Sequence, residues 1–220
     1  MSISEQIARR ILSIPDAVKF NFENPFTWFS GYKMPMYVDA RKLLGNYEDR
    51  NLVVEGLSKL IKFDDYEIIA GIASGGVPWA YDLANRFRKG FVYMGKPKNH
   101  GLEGEISGLP AEEIKGKNIL LVDDTLSLGT SLTNAVKVLK NAGAKCNAGI
   151  SVYSYEFNEA LTSLRREAPN LSSFSSLYYE TLIDIAAKEG RLNQRQLDAL
   201  VEWRKDPLNW REKHGFPRAQ

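Results

Sequence analysis

Four short apolar segments, none of which alternates with polar residues, constrain the fold of this chain more than any other sequence feature. An uninterrupted apolar strand is typical of a sheet that is covered on both faces. Amphipathic stretches with helical spacing separate the four segments, as in a parallel sheet with helices packed on it. The sequence therefore predicts an α/β fold with a central parallel sheet. The segments are residues 67–73, 90–94, 118–122 and 148–154.

The spacing of apolar residues also predicts the helices around this sheet. Pro15 ends the first helix, and Gly143 follows the fourth as a C-cap. The predicted helices are residues 4–14, 49–61, 77–88, 132–142, 181–188 and 193–205. Because no repeat or Gly-, Ser- or Pro-rich linker divides the chain, we expect one domain spanning 1–220. Its N-terminal segment of about 1–45 and its C-terminal helices of about 181–220 would pack on the core.

Composition excludes several classes of function. Lys and Arg number 29 against 27 Asp and Glu, so the net charge of +2 argues against a nucleic-acid-binding protein. No apolar run reaches the ~18 residues of a membrane span, and residues 1–15 are amphipathic and unlike a signal peptide. The single cysteine, Cys146, cannot form an internal disulfide. We expect a cytoplasmic protein with a reduced core thiol and no membrane partner.

The segment after the third apolar run carries the strongest indication of chemistry. Ligands of open α/β sheets bind beyond the carboxyl ends of the strands. Residues 118–132 read NILLVDDTLSLGTSL, in which two acids are followed by a loop rich in hydroxyl groups and then by a helix. Amide groups at a helix start, together with the helix dipole, attract a phosphate. Gly129 allows the backbone to approach that anion closely.

The two acids suit a different part of the same ligand. The carboxylates of Asp123 and Asp124 repel a phosphate but accept hydrogen bonds from sugar hydroxyls. Acids for a diol beside donors for a phosphate predict a pocket for a ribose 5-phosphate group. Two competing phosphate motifs, GxxxxGK[ST] and GxGxxG, are absent from the sequence. The candidate phosphate contacts are Thr125, Leu126, Ser127, Leu128, Gly129, Thr130 and Ser131.

A simpler interpretation of this segment stays open. In this interpretation the two acids simply begin a loop, and Thr130 or Ser131 simply caps a helix. Capping alone would leave the doubled acid at the end of a buried strand without an explanation.

Residues 122–131, VDDTLSLGTS, resemble the phosphoribosyl pyrophosphate (PRPP) motif of type I phosphoribosyltransferases. In that motif hydrophobic residues, two acids and a Gly-Thr pair stand at fixed spacing. The resemblance implies the type I phosphoribosyltransferase fold, a central parallel sheet flanked by helices with an N-terminal hood. It also implies PRPP as a substrate and Mg²⁺ held mainly by PRPP, with no direct protein ligand.

Three further segments resemble orotate phosphoribosyltransferases in particular. Residues 93–108 are similar to their catalytic lid, in which Lys98 and His100 would neutralise charge on the departing pyrophosphate. Residues 24–41 are similar to their hood. There the resemblance implies orotate contacts from Tyr37 and Val38 and an anion contact from Lys33. Residues 71–78, GIASGGVP, resemble their pyrophosphate loop.

Alternatives and departures accompany this resemblance. Lys98 and His100 could be solvated loop charges, and the hood segment could be a satellite aromatic core. Many family members carry Arg-Lys where this chain has Met94 and Gly95, and Lys where Gly75 stands. An arginine that often contacts the orotate carboxylate would fall at Ser154. These departures weaken the assignment of the base more than that of PRPP.

The resemblance implies a displacement at ribose C1, in which orotate N1 attacks and pyrophosphate leaves, giving orotidine 5′-monophosphate. Ser127 is a further candidate contact to orotate, and a homodimer is expected in which the lid serves the neighbouring subunit. Trp203 and Trp210 are expected to pack or to contact a subunit rather than to take part in chemistry. Three alternatives are a phosphoribosyltransferase for another base, a non-catalytic PRPP-sensing regulator and a general sugar-phosphate binding module.

Overall fold

A computed structural model describes residues 1–28, 32–95 and 106–216. The helices are α1 (Ile3–Ser13), α2 (Tyr47–Ser58), α3 (Gly76–Phe87), α4 (Ala111–Ile114), α5 (Thr130–Asn141), α6 (Asn158–Glu167), α7 (Tyr179–Lys188), α8 (Gln194–Lys205) and α9 (Trp210–Lys213). The strands are β1 (Val18–Phe20), β2 (Phe26–Thr27), β3 (Lys33–Met34), β4 (Met36–Val38), β5 (Ile68–Ile72), β6 (Gly90–Met94), β7 (Ile106–Ser107), β8 (Asn118–Leu126), β9 (Lys145–Ser154) and β10 (Ser172–Tyr178). Short 3-10 helices occupy Ala40–Leu44 and Phe63–Asp65.

The predicted α/β fold with a central parallel sheet is confirmed. Six strands form one sheet in the order β10-β9-β8-β5-β6-β7, and all pairs are parallel except β6 with β7. Every residue of β5 is buried, as an apolar segment covered on both faces requires. One face of the sheet packs against α1, α2, α3, α7 and α8, and the other against α4, α5 and α6.

The third strand is longer than its apolar segment predicts. The sequence placed its end at Val122, with the two acids in a loop, but β8 continues to Leu126. The extension pairs with β9 alone, through Asp123 with Ser151 and Thr125 with Tyr153, because β5 pairs with β8 only as far as Val122. The polar residues are therefore held in a hydrogen-bonded ladder. Their other side faces the turn between β5 and α3.

Two of the longer elements of the α/β core were not predicted. Strand β10 contains four serines, a composition that gives no apolar strand pattern. Its buried hydroxyls find partners inside the sheet instead: Ser175 Oγ lies 2.7 Å from Ser151 Oγ, and Ser176 Oγ donates to the Val152 carbonyl over 2.9 Å. Helix α6 was also missed. The predicted second helix, 49–61, is shifted to Tyr47–Ser58 because the Asn46 side chain caps it.

The N-terminal hood is tied to the sheet and to the C-terminus. Strand β1 pairs with β4, β2 pairs with β3, and α9 contacts β3. Trp203 and Trp210 are 1% and 2% exposed, so their expected packing role is confirmed. Across the described ranges, none of the helices combines the length and apolar character needed to cross a bilayer.

Candidate active site

Two acids on the extended end of β8 form the centre of the candidate site. The Asp123 side chain is buried, with 6% of the residue exposed, and its Oδ1 accepts a hydrogen bond from the Asp124 amide over 2.8 Å. Asp124 is half-buried and faces the turn that precedes α3. Burial, and secondarily the charge of Asp124, raises the pKa of Asp123 well above its usual range.

The turn between β5 and α3 packs directly against these acids because it carries two glycines. A Cβ atom at Gly75 would stand 2.2 Å from Asp124 Cγ, and one at Gly76 would stand 2.2 Å from the Val122 carbonyl oxygen. Gly75 is the N-cap of α3 and provides no side-chain hydrogen bond to the helix amides. The start of α3 therefore presents backbone donors close to Asp124, as expected for the segment that resembles a pyrophosphate loop.

A second helix start without a side-chain cap follows the acids in the chain. Helix α5 begins at Thr130, and its N-cap is Gly129, whose φ of 79° lies in the left-handed region. No side chain caps the helix, so the interpretation of Thr130 or Ser131 as simple caps is wrong. Thr130 and Ser131 are exposed at this start. Two helix starts without side-chain caps thus adjoin the pair of acids, α3 through the contact at Gly75 and α5 through the turn that follows β8.

The remaining residues of the predicted phosphate segment differ in accessibility. Thr125 and Ser127 are half-buried. The side chains of Leu126 and Leu128 pack against the cores on opposite faces of the sheet, so only their backbones are suited to hold a phosphate. Beside α5, a cavity of about 480 Å³ is lined by Ala73, Gly95 and Ser131 among other residues.

The hood brings an aromatic group to the same end of the sheet. The Val38 amide donates to Tyr155 Oη over 3.1 Å, while the Val38 side chain is buried in the core. Tyr37 is half-buried, and its ring lies 6.2 Å from that of Phe26. The Trp28 ring lies 6.1 Å from that of Tyr155. The hood therefore contacts Tyr155, the residue directly after β9, through Trp28 and Val38.

Other residues singled out in the sequence are placed less centrally. The Lys33 ammonium donates to Thr27 Oγ1 over 2.7 Å across the β2–β3 pair. Ser154 is 4% exposed, and its hydroxyl accepts a hydrogen bond from the Glu156 amide. Met94 is buried, whereas a Cβ at Gly95 would meet nothing within 4 Å. Lys98 and His100 lie outside the described residues.

Sequence reasoning missed one polar pair in the hood. Arg41 Nε donates to Asp39 Oδ1 over 2.6 Å, and Arg41 Nη2 donates to Tyr37 Oη over 3.3 Å. The residues follow the hood run directly as Asp39-Ala40-Arg41. The pair could have been identified in the sequence, because an acid and an arginine stand two positions apart next to Tyr37, a candidate ligand contact.

The raised pKa of Asp123 predicts a pH-dependent difference between the wild type and Asp123→Asn. A carboxyl whose pKa rises on folding binds more protons in the folded state than in the unfolded state. The free energy of unfolding therefore falls as the pH rises above about 4, where the unfolded carboxyl begins to lose its proton. Asparagine keeps an acceptor for the Asp124 amide and does not titrate. We expect the thermal midpoint of the variant to equal that of the wild type near pH 4 and to exceed it increasingly toward pH 8. A difference that stays constant over this range would contradict the assignment.

Comparisons with known proteins agree with this geometry. The phosphoribosyl transferase domain family matches residues 45–156. An orotate phosphoribosyltransferase of Phocaeicola vulgatus is 34% identical over 212 residues, covering 95% of this chain and 97% of that protein. The Bacillus cereus orotate phosphoribosyltransferase is 36% identical over 210 residues, covering 94% and 97%.

Solved structures show the same architecture. The crystal structure of orotate phosphoribosyltransferase from Aeropyrum pernix has a TM-score of 0.68 and 26% identity, covering 86% of this chain and 99% of that one. The Leishmania donovani UMP synthase structure, with a TM-score of 0.76 and 20% identity over 91% of this chain and 42% of that one, shares the fold. The expected type I phosphoribosyltransferase fold is confirmed. With two curated relatives matched over nearly their whole length and the acids flanked by two helix starts, the chain belongs to the orotate phosphoribosyltransferase family.

Proposed function

We propose that this protein transfers the 5-phosphoribosyl group of PRPP to N1 of orotate, forming orotidine 5′-monophosphate and pyrophosphate in pyrimidine (UMP) biosynthesis. One observation carries the proposal: two helix starts without side-chain caps, at α3 and α5, flank Asp123 and Asp124. PRPP carries two phosphate groups separated by a ribose diol. Two backbone anion sites with acids between them match that order of groups.

The proposed residue roles follow the same order. The segment Thr125–Ser131 binds the 5-phosphate, and the Gly75–Gly76 turn binds pyrophosphate. Asp123 and Asp124 accept the ribose hydroxyls. Catalysis is then positioning combined with electrostatic stabilisation of a transition state in which C1 becomes cationic and pyrophosphate gains charge. Lys98 and His100, from the segment similar to the catalytic lid, neutralise that charge.

The hood supplies most of the proposed contacts to orotate. Tyr37, with its half-buried ring, covers the base. Val38 is left with its backbone carbonyl as the proposed contact, since its side chain is in the core and its amide donates to Tyr155. Ser127 lies at the start of the phosphate turn and is the proposed contact from the sheet side. Lys33, which donates to Thr27, would have to release that hydroxyl to reach an anion.

Mg²⁺ is the proposed cofactor. Over the described ranges, no group of three or more His, Cys, Asp or Glu side chains is arranged to hold a metal ion. Mg²⁺ prefers oxygen ligands and keeps several of them from substrate and water, so the half-buried carboxylate of Asp124 fits an ion held mainly by PRPP. When bound, the ion would supply charge neutralisation on the pyrophosphate.

A homodimer and a cytoplasmic location complete the proposal. Tyr81 and Tyr93 are 58% and 39% exposed, and both rings contact Phe91, which forms an aromatic patch on α3 and β6. Such a patch suits a subunit contact, and light scattering would show about twice the chain mass of 24.8 kDa.

Burial raises the pKa of the Cys146 thiol to about 12, which suits an unreactive thiol in a reducing compartment.

The proposal is tested by following the ultraviolet absorbance of orotate after mixing with PRPP and Mg²⁺. We expect absorbance to fall only when all three are present with the protein, and pyrophosphate to appear in equal amount. Uracil, adenine, guanine and hypoxanthine serve as parallel acceptors. Consumption of one of these bases instead of orotate would assign the chain to another acceptor. PRPP binding without turnover of any base would indicate a PRPP-sensing regulator.

A further inference from the structure

Arg41 occupies a defined place at the edge of the proposed base site. It lies in the 3-10 helix Ala40–Leu44, which follows β4 directly. Strand β4 is fixed at both faces, because it pairs with β1 and because the Val38 amide donates to Tyr155 Oη. The Arg41 side chain is 49% exposed, so a ligand can reach it from solvent.

The guanidinium of Arg41 is held in one orientation with part of its donor capacity unused. Nε and Nη2 donate to the two carboxylate oxygens of Asp39 over 2.6 and 3.0 Å, and Nη2 also donates to Tyr37 Oη. An arginine has five N–H donors, and these contacts use three of them. In the parts of the chain that the structure describes, Nη1 donates to no acceptor.

The guanidinium lies near two side chains that we assign to the substrates, Tyr37 and Asp124. The hydrogen bonds that Arg41 donates to Asp39 raise the pKa of Arg41 above its ordinary range, and the negative charge of Asp124 contributes in the same direction. The guanidinium is therefore within electrostatic reach of the acid that we assign to the ribose. Tyr37, to which it donates, is the residue that we assign to the ring of the base.

Two other cations of the hood are engaged elsewhere. The Lys33 ammonium donates to Thr27, and Lys19 pairs with Asp16 over 3.2 Å. On the sheet side, Ser154 is uncharged and its hydroxyl is already in use. The carboxylate of orotate would thus meet Arg41, the cation that donates a hydrogen bond to Tyr37.

We infer that Arg41, through Nη1, binds the carboxylate of the acceptor base and selects orotate over uncharged pyrimidines. The inference rests on the proposed function, because it assumes that orotate is the acceptor. Asp39 is a positioning residue: its bidentate contact holds the plane of the guanidinium, and such planar pairing with a carboxylate is a property of arginine that lysine lacks.

The inference is tested with Arg41→Gln in steady-state kinetics. A hydrogen bond to a charged group corresponds to a loss of about 10- to 100-fold, so we expect the KM for orotate to rise by that factor. The KM for PRPP should stay within about 2-fold. The inhibition constant of the methyl ester of orotate, which lacks the negative charge, should also stay within about 2-fold. Arg41→Lys, which keeps the charge, should recover part of the orotate affinity. Lys42→Gln is the matched control, since Lys42 is the adjacent exposed cation.

Each other outcome overturns the assignment. An unchanged KM for orotate would show that Arg41 does not contact the acceptor. An equal rise in the KM for PRPP would place Arg41 on the donor substrate. An equal loss for the methyl ester would show that the substitution distorts the hood, and thermal unfolding of the variant would report the same distortion. A wild-type protein that consumes no orotate would instead reject the proposed function, and this inference with it.

Discussion

Replacing Gly76 by alanine is expected to lower the free energy of unfolding by about 3 kcal/mol, the upper end of the usual cost of overpacking. The added Cβ would lie 2.2 Å from the Val122 carbonyl oxygen and 2.8 Å from Asp123 Cα. Both atoms belong to the backbone of β8, the strand between β5 and β9, so neither can move without disturbing the sheet. The thermal midpoint should fall by roughly 6–12 °C for a chain of this size.

Differential scanning calorimetry of Gly76→Ala beside Gly45→Ala measures this effect. At Gly45 the nearest atom to an added Cβ is the Lys42 carbonyl oxygen at 3.4 Å, and the residue has a helical φ of −62°. Alanine is accommodated there, so the control should keep the wild-type midpoint or exceed it slightly. Equal midpoints for the two variants would show that the turn before α3 has room that the structure does not provide.

Replacing Asp124 by asparagine is expected to lower kcat/KM for PRPP by about 100-fold, within the range for losing hydrogen bonds to a charged group. The carboxylate is proposed to accept the ribose hydroxyls and to face the cationic C1 in the transition state. Asparagine retains one acceptor but removes the negative charge. Both a higher KM for PRPP and a lower kcat should therefore result, because the charge acts on the bound substrate and more strongly on the transition state.

Steady-state kinetics with orotate held at saturation separates the two constants. Asp64→Asn is the matched control, since Asp64 is exposed in the 3-10 helix that precedes β5, at the opposite end of that strand from the site. The control should retain wild-type constants. Wild-type kcat and KM in Asp124→Asn would remove this residue from the proposed ribose site.

The apolar segments predicted the strands where packing alone decides the structure. Residues 90–94 form β6 without any shift, and the segment 67–73 contains β5. The end of β8 was wrong because Asp123-Asp124-Thr125 has the composition of a loop. In the protein this segment is a strand because the end of β9 continues beside it, through Ser151 and Tyr153. Such pairing depends on the length of a neighbour and leaves no mark in the segment itself.

The hood shows a similar limit. Its similarity to the family predicted that Tyr37 and Val38 approach the base. The bond that fixes β4, from Val38 to Tyr155, joins residues 117 positions apart. The proposed role of Arg41 depends on this bond, since the 3-10 helix that carries Arg41 follows β4 directly. Spacing patterns are local, so they predict neither the bond nor the orientation of the guanidinium.

The extension of β8 beyond β5 has a consequence for how enzymes of this shape can diversify. The acids that we assign to the sugar stand on a paired strand, and the groups assigned to the base stand on a separate hood of short strands. The proposed sugar site and the proposed base site thus stand on different parts of the fold. Substitutions in the hood can therefore change the preference for the acceptor base, while the residues assigned to the donor, PRPP, stay the same.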